Sequence, residues 1–309
     1  MNKVKEGMHS RNSIFIALFA SLIYLLFSWF LIGVRTDQLV LTAIFNICFF
    51  LSPVARKFII GFSIFIVYWI LFDYMKAFPN YTFNTVHIQD LYNAEKSLFG
   101  ISYQDSIITP NEYWLQNGQT WLDILSGIFY LCWIPVPLAL AAYLFFKDKE
   151  LFLHFSLTFV LVNMIGFIIY YAYPAAPPWY YQLRGADFIP GTLGNTAGLH
   201  KFDEYFNIRI FHSLYEKSSN VFAAMPSLHS SYPLIVLYYG IKKKLGWMNG
   251  VFAAVMLGIW FAAVYTSHHY ILDVLAGVTC AIAGIFIFQK ILLRNTAFSR
   301  FLNYYKAGI

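Results

Sequence analysis

The chain has 309 residues, of which 59% are apolar and only 12% are charged. Soluble globular proteins carry about twice that share of charged residues, so the composition excludes a soluble protein of one or two domains. The formal net charge of +6 could suit nucleic acid only if the basic residues gathered on one soluble surface. What remains is a chain that crosses a bilayer several times.

Eight uncharged or nearly uncharged stretches have a length that suits membrane helices. A spanning helix needs about 20 largely apolar residues, and fewer where the membrane is thin. The stretches occupy residues 12–34, 38–55, 58–72, 124–146, 151–173, 221–241, 245–265 and 270–293. The third is short because Asp73 follows it, and the last contains one acid, Asp273. The sequence therefore predicts an all-α, polytopic membrane protein with about eight transmembrane helices.

The basic residues flank helix ends mainly on one side of the predicted membrane. This set comprises Lys3, Lys5, Arg11, Arg56, Lys57, Lys147, Lys149, Lys242, Lys243, Lys244, Lys290, Arg294, Arg300 and Lys306. Cytoplasmic loops are enriched in Lys and Arg, so we expect both termini to be cytoplasmic. The same distribution gives no reason to expect a nucleic-acid partner.

Two long loops, at residues 73–120 and 174–220, lie on the predicted non-cytoplasmic side. We expect the first to form short helices on the headgroup layer, since tryptophan and tyrosine are typical of that layer. The second opens at Pro174 with the run PAAPPW, which cannot continue a helix because proline lacks an amide hydrogen. Because functional residues concentrate in loops, a functional site is expected on this side.

The sequence MPSLHS, at residues 225–230, borders the second long loop. Pro226 and Ser227 are typical of the start of a helix. The free amides of a first helical turn attract an anion, and His229 falls within this turn.

The sequence YTSHHYILD, at residues 265–273, opens the last membrane helix. We expect Thr266 and Ser267 to cap that helix. His269 and Asp273 are four residues apart, so they should share one helical face and touch. A buried ionisable group in a membrane helix is costly, which makes Asp273 a functional candidate.

Together the two motifs suggest phosphotransfer chemistry. A carboxylate that holds one imidazole nitrogen leaves the other nitrogen as a nucleophile. A second imidazole can then protonate the leaving oxygen. One alternative is a His–Asp pair that only ties helices together. Another is a site in which two histidines and a carboxylate hold zinc or iron; we expect no metal and no other cofactor, because the Pro-Ser-x-His turn favours phosphate.

The motifs PSLHS and HHYILD resemble motifs two and three of the type 2 phosphatidic acid phosphatase superfamily. The resemblance implies that His269 is the nucleophile, that Asp273 orients it, and that His229 protonates the leaving group. His268 does not match a family role. The phosphatases also use an Arg-Pro motif and an arginine six residues before the nucleophile. This chain has no Arg-Pro and carries Ala263 at that position, which argues against hydrolysis of a dianionic phosphomonoester.

A similar loss of these arginines is a feature of one branch of the superfamily. This branch contains the inositol phosphorylceramide synthases, the family targeted by aureobasidin A, and related lipid inositolphosphotransferases. The resemblance to this branch includes YPAAPPWY at 173–180, GLHKFDEYFN at 198–207 and TWLDILS at 120–126. It covers about residues 120–293. The first three helices cannot be placed by it. We expect a catalytic membrane domain with a six-helix bundle in residues 56–309, preceded by N-terminal transmembrane helices in residues 1–55.

Six further residues are candidates for substrate binding: Ser227, Ser230, Asp123, Trp179, Arg184 and Lys201. Asp123 could bind a sugar hydroxyl or only mark the membrane boundary. Arg184 and Lys201 could supply positive charge, although solvated surface charge is an equally ordinary role. Trp179 could cover the site or anchor the loop at the interface.

From these residues and the resemblance we expect a phosphotransferase that moves a phospho-headgroup between lipids at the outer leaflet. The predicted donor is phosphatidylinositol and the predicted acceptor is ceramide. A lipid or polyprenyl phosphate phosphatase is the alternative enzyme. A lipid-binding or transport protein without chemistry is the alternative from another class, although no paired broken helices of the transporter kind are visible.

Overall fold

The computed structural model describes residues 11–216 and 220–309. These residues form an all-α membrane protein, which confirms the predicted fold class. Lys3 and Lys5, two members of the predicted cytoplasmic basic set, lie outside the described residues. Within those residues, six helices are long and apolar enough to cross a membrane.

In the described residues, nine apolar helices follow the predicted stretches in order. They are α1 (Arg11–Ile32), α2 (Thr36–Leu51), α3 (Pro53–Tyr74), α6 (Thr120–Leu131), α7 (Pro135–Lys147), α8 (Lys149–Ala172), α12 (Leu228–Lys243), α13 (Met248–Tyr265) and α14 (Ile271–Phe286). Helices α2 and α12, with 16 residues each, are not among the six long spans. After α14 the chain continues as a π-helix (Ile287–Ile291) and a 3₁₀ turn (Leu292–Arg294). Helix α15 (Thr296–Gly308) ends the chain. Helices α6 and α7 together form one span, interrupted where Pro135 begins α7.

The third predicted stretch was too short at both ends. Helix α3 spans Pro53–Tyr74 because the Ser52 hydroxyl accepts the Ala55 amide and Pro53 occupies the first helical turn. Both are helix-start signals. Asp73 does not end the helix. It is buried near its end and bonds the Lys76 ammonium at 2.7 Å.

The end of the bundle that carries the two long loops is called here the long-loop side. The first loop folds into α4 (Gln89–Phe99), the hairpin β1 (Ile101–Tyr103) and β2 (Ser106–Ile108), and α5 (Pro110–Gln116). The second contains α9 (Pro178–Arg184), α10 (His200–Phe206) and α11 (Ile210–Glu216). The hairpin was not expected; Gln104 and Asp105 make its turn with positive φ angles of 47° and 61°.

Backbone bonds tie three distant segments together on the long-loop side. The His87 amide donates to the Pro174 carbonyl at 2.8 Å, and the Ala175 amide donates to the Phe222 carbonyl at 2.8 Å. Both long loops are thereby fixed to the segment that leads into α12.

Helix α12 lies at the centre of the bundle and packs against α7, α8, α13 and α14. Lipid is as apolar as leucine, so membrane helices associate mainly through close packing at small residues. Gly166 of α8 is such a residue, because a Cβ there would stand 2.6 Å from the Leu228 side chain. This contact sets the position at which α12 begins. Helices α1 and α2 pack against α3, and the division of the chain at residue 55 stays a prediction.

Candidate active site

The start of α12 rests on the first turn of α14. Helix α12 begins within the MPSLHS motif, where a helix start was predicted, and Ser227 is its N-cap. Its amide donates to the Asp273 carbonyl at 2.9 Å. Gly277 permits this approach, because a Cβ there would lie 2.0 Å from the Ser227 carbonyl oxygen. Gly277 was not predicted from the sequence, although it lies one helical turn after Asp273.

This packing brings His229 and His269 together. The Nδ1 atom of His229 lies 3.3 Å from Nε2 of His269. On the other side of the His269 ring, Nδ1 lies 3.5 Å from Oδ2 of Asp273. That distance is longer than an ordinary hydrogen bond, and catalytic contacts of this kind often tighten only when substrate binds. The three residues therefore form the row that the motif spacing suggested.

The predicted capping of the last helix by Thr266 and Ser267 was wrong. Helix α14 begins at Ile271, with Tyr270 as its N-cap. The Thr266 hydroxyl instead donates to the Ala262 carbonyl at 2.7 Å. The buried Asp273 closes the turn, since its Oδ2 accepts the Tyr270 amide at 2.8 Å.

Two residues of the first long loop hold the His269 segment and were missed by sequence reasoning. The Asn111 side-chain amide donates to the Val264 carbonyl at 2.8 Å and to the His269 carbonyl at 2.9 Å. The Glu95 carboxylate accepts the amides of Ile271 and Leu272. Both contacts join parts of the chain more than 150 residues apart, so no local pattern could reveal them.

Aromatic rings line the row of three residues. The Tyr130 hydroxyl lies 3.4 Å from Nδ1 of His229, and the Trp133 ring meets the His229 ring edge-on at a centroid distance of 4.4 Å. Burial lowers the pKa of His269 to about 4. Its imidazole is therefore neutral near pH 7, which leaves a lone pair on one ring nitrogen.

His268 points to different partners. Its Nδ1 lies 2.9 Å from the Thr266 hydroxyl. Its ring packs against Tyr215 and Tyr130 at centroid distances of 4.6 and 5.4 Å. His268 is thus a buried neighbour of the row rather than a member of it.

The predicted substrate-binding residues divide into several groups. Ser227 and Ser230 are buried behind His229, and the Ser230 hydroxyl donates to the Ser227 hydroxyl at 3.0 Å. Trp179 is buried, and its amide donates to the Ser267 carbonyl at 3.0 Å. Arg184 is exposed on the last turn of α9.

Asp123 and Lys201 form a pair of their own at the start of α6. The Asp123 carboxylate accepts the Tyr265 hydroxyl at 2.8 Å and lies 3.6 Å from the Lys201 ammonium. Lys201 is therefore already engaged by an acid. Within the described part of the chain, no group of three His, Cys, Asp or Glu side chains could hold a metal ion.

The fold and the site define a class: a polytopic helical membrane protein in which two histidines and an aspartate meet where three helices end. The model of the PAP2 superfamily matches residues 101–287. The chain belongs to the PAP2 superfamily, which confirms the resemblance that the two motifs indicated.

Three relatives illustrate where the chain falls within that superfamily. The phosphoinositol dihydroceramide synthase of Bacteroides thetaiotaomicron is 40% identical over 300 residues, which cover 96% of this chain and 98% of that protein. The inositol phosphorylceramide synthase of Candida albicans is 30% identical over 176 residues, or 55% of this chain and 36% of that protein. The inositol phosphorylceramide synthase catalytic subunit of Saccharomyces cerevisiae is 27% identical over 237 residues, or 74% and 56%. No solved structure gives a significant match.

Proposed function

We propose that this protein transfers phosphoinositol from phosphatidylinositol to a ceramide-type lipid through a covalent intermediate on His269. The relatives named above are phosphoinositol transferases that act on ceramide-type lipids, and their similarity confirms the predicted enzyme class. The observation that carries the residue roles is the row of Asp273, His269 and His229 with its contacts of 3.5 and 3.3 Å.

The contacts assign the role of each ring nitrogen. Nδ1 of His269 faces the Asp273 carboxylate and so carries the proton, which leaves the lone pair on Nε2. The contacts thus assign the tautomer of His269 that carries its hydrogen on Nδ1. The nucleophile is therefore Nε2 of His269, and the hydrogen of the His229–His269 contact belongs to Nδ1 of His229.

In the first step, Nε2 of His269 forms a bond to phosphorus and the bond from phosphorus to the diacylglycerol oxygen breaks. His229, protonated beside the anionic phosphodiester, gives its Nδ1 proton to that oxygen. Diacylglycerol leaves, and phosphoinositol remains on His269. In the second step, neutral His229 takes the proton of the ceramide hydroxyl. The hydroxyl oxygen then bonds to phosphorus and displaces His269.

The two imidazoles must separate when substrate binds. A near-attack arrangement holds the nucleophile about 3–3.5 Å from phosphorus, and an acid must stand about 2.6–3.2 Å from the leaving oxygen. The observed 3.3 Å between the two nitrogens leaves no room for both. We infer that the phosphate enters by displacing one ring from the other.

A diester suits the charge of this site better than a monoester. Ala263 stands where the phosphatases carry an arginine; it is fully buried, and its carbonyl accepts the amides of His268 and His269. Each lost charged contact to a developing anion costs about 2.7–4 kcal/mol. A singly charged diester needs fewer such contacts than a dianionic phosphate.

We further propose that both termini are cytoplasmic and that the site opens to the opposite side. Support comes from the basic ends of the helices: Lys243 pairs with Asp148 and Lys306 with Glu150, each at 2.7 Å. These pairs lie at the start of α8, whereas the site lies beside the far end of that helix.

The test is product analysis with purified protein supplied with phosphatidylinositol and ceramide. We expect inositol phosphorylceramide and diacylglycerol in equal amounts, with slow or no release of inorganic phosphate from phosphatidic acid. Rapid phosphate release without transfer to any lipid alcohol would instead favour a phosphatase.

A further inference from the structure

Glu95 on α4 is a buried acid that reaches the first turn of the helix carrying Asp273. Its side chain is fully buried. One carboxylate oxygen accepts the Ile271 amide at 2.9 Å, and the other accepts the Leu272 amide at 3.1 Å. These amides belong to the first turn of α14, which has no partners for them within the helix.

Glu95 and Asp273 together hold three successive amides. Asp273 accepts the Tyr270 amide, and Glu95 accepts the next two. The peptide that follows His269 is therefore fixed on one side by the helix's own acid and on the other by an acid from the first long loop. The family match begins only at residue 101, so Glu95 acts from outside the matched segment.

We propose that Glu95 is a positioning residue of the transfer reaction, because it fixes the first turn of α14 and thereby the geometry between His269 and Asp273. This inference rests on the proposed function for its chemistry, although the contacts themselves do not depend on it. Glu95 does not touch the reacting atoms in this proposal. It acts through the backbone of residues 270–272.

A carboxylate fits this role better than its neutral relatives. Two amides need two acceptor oxygens, and glutamine offers only one together with a donor group. Protonation of Glu95 has a similar effect, because it turns one acceptor oxygen into a hydroxyl. Burial raises the pKa of Glu95 to about 7, with the nearby Asp273 adding to the rise and the two amides opposing it.

The proposal therefore includes a pH dependence. Above about pH 7 the Glu95 carboxylate is ionised and holds both amides; below that pH it is protonated and one bond is lost. The titratable groups beside Glu95 are Asp273 and Tyr270. Tyr92, on the same helix, is contacted by Lys96, Glu112 and Tyr181. The histidines of the row also titrate, so the contribution of Glu95 must be isolated by substitution.

The experiment compares Glu95→Gln and Glu95→Ala with wild type and with Glu204→Gln, which alters an exposed acid on α10. Turnover of phosphatidylinositol with ceramide is measured from pH 5.5 to 8.5. Hydrogen–deuterium exchange of peptides that cover residues 268–274 is measured on the same samples. Misplaced catalytic groups can reduce turnover by about 100-fold, and we expect kcat to fall by about tenfold or more in Glu95→Ala while KM changes little.

In Glu95→Gln we expect a smaller loss of kcat. We also expect that turnover plotted against pH no longer falls as the pH drops through about 7. Both variants should exchange faster at residues 268–274, and Glu204→Gln should match wild type. Wild-type kcat, pH profile and exchange in both Glu95 variants would overturn the proposal. The proposal would also be overturned if turnover fell only in proportion to the amount of folded protein and the pH profile did not change. Absence of product from wild type would contradict the proposed function instead, and exchange would still decide whether Glu95 holds the turn.

Discussion

At the scale of single residues, the histidine–histidine contact explains why two motifs far apart in the chain serve one site. His229 enters on α12 and His269 lies just before α14, yet their ring nitrogens are 3.3 Å apart. The fully buried Asp273 closes the row from the other side. His229 has no partner from the row within its own motif, so the site exists only when α12 packs against the start of α14.

Loss of any member of the row should abolish transfer while the protein still folds. We expect His269→Ala, His229→Ala and Asp273→Asn each to reduce turnover to background. Groups that act as a unit are strongly non-additive, so a double substitution should be no worse than the worst single one. Turnover of purified, monodisperse protein is the measurement.

His268→Ala is the matched control, because its ring lies next to the row but contacts Thr266, Tyr130 and Tyr215 instead. We expect it to keep substantial activity. An inactive His268→Ala beside an active His269→Ala would reverse the assignment of the nucleophile.

The sequence predicted these three residues because their signals are local. His269 and Asp273 are four residues apart, and Pro226 and Ser227 mark the helix start that carries His229. Glu95 gave no such signal, because its partners lie in a segment that only the folded chain brings near. The same holds for Asn111. Buried side-chain bonds over long sequence separations belong to tertiary structure and cannot be read from one sequence.

At the scale of elements, the close contact between α14 and the start of α12 sets the site. Gly277 leaves space for the Ser227 carbonyl, which would lie 2.0 Å from a Cβ at residue 277. Ser227 is only two residues from His229. Any displacement there moves the proposed acid relative to the nucleophile.

Gly277→Ala should therefore lower both stability and turnover. Overpacking of this kind typically destabilises a protein by about 1–3 kcal/mol, and we expect turnover to fall more than the folded fraction does. Thermal unfolding in detergent and the transfer assay measure the two effects.

Gly250→Ala on α13 is the control, since nothing lies within 4 Å of a Cβ there. Alanine is favoured over glycine in a helix by about 1 kcal/mol, so this variant should be as stable as wild type or more so, with unchanged turnover. Normal turnover of Gly277→Ala would show that the contact between α14 and α12 does not position His229.

Helix boundaries show where local reasoning fails at this scale. The start of α12 was predicted because proline and serine mark it directly. The start of α14 was not, because Asp273 and the distant Glu95 cap it rather than Thr266 and Ser267. The length of α3 was underestimated because a buried Asp73 paired with Lys76 is tolerated near a helix end.

At the scale of the whole molecule, hydropathy was a sufficient guide to the bundle. Each of the eight apolar stretches contains a helix, although α2 and α12 have only 16 residues each. Such a reading works because a backbone in lipid must satisfy its own hydrogen bonds, which leaves helices as the main solution. Hydropathy did not predict how the two long loops fold over the site.

The basic residues predict that the long-loop side faces away from the cytoplasm. Ala186→Cys, at an exposed site in the second long loop, should react with an impermeant thiol reagent in intact cells. Ala297→Cys, exposed on α15, should react only after lysis. The three native cysteines, Cys48, Cys132 and Cys280, should first be replaced. The opposite labelling pattern would reverse the orientation.

The central claim is that phosphoinositol rests covalently on His269 between donor and acceptor. The most direct measurement is mass spectrometry of peptides from protein that has been incubated with phosphatidylinositol without any acceptor and quenched in alkali, which preserves phosphoramidate bonds. We predict an added inositol phosphate on the peptide that contains His269, lost when ceramide is supplied before the quench and absent from His269→Ala. A bare phosphate at His269, or the headgroup on another residue, would contradict this account.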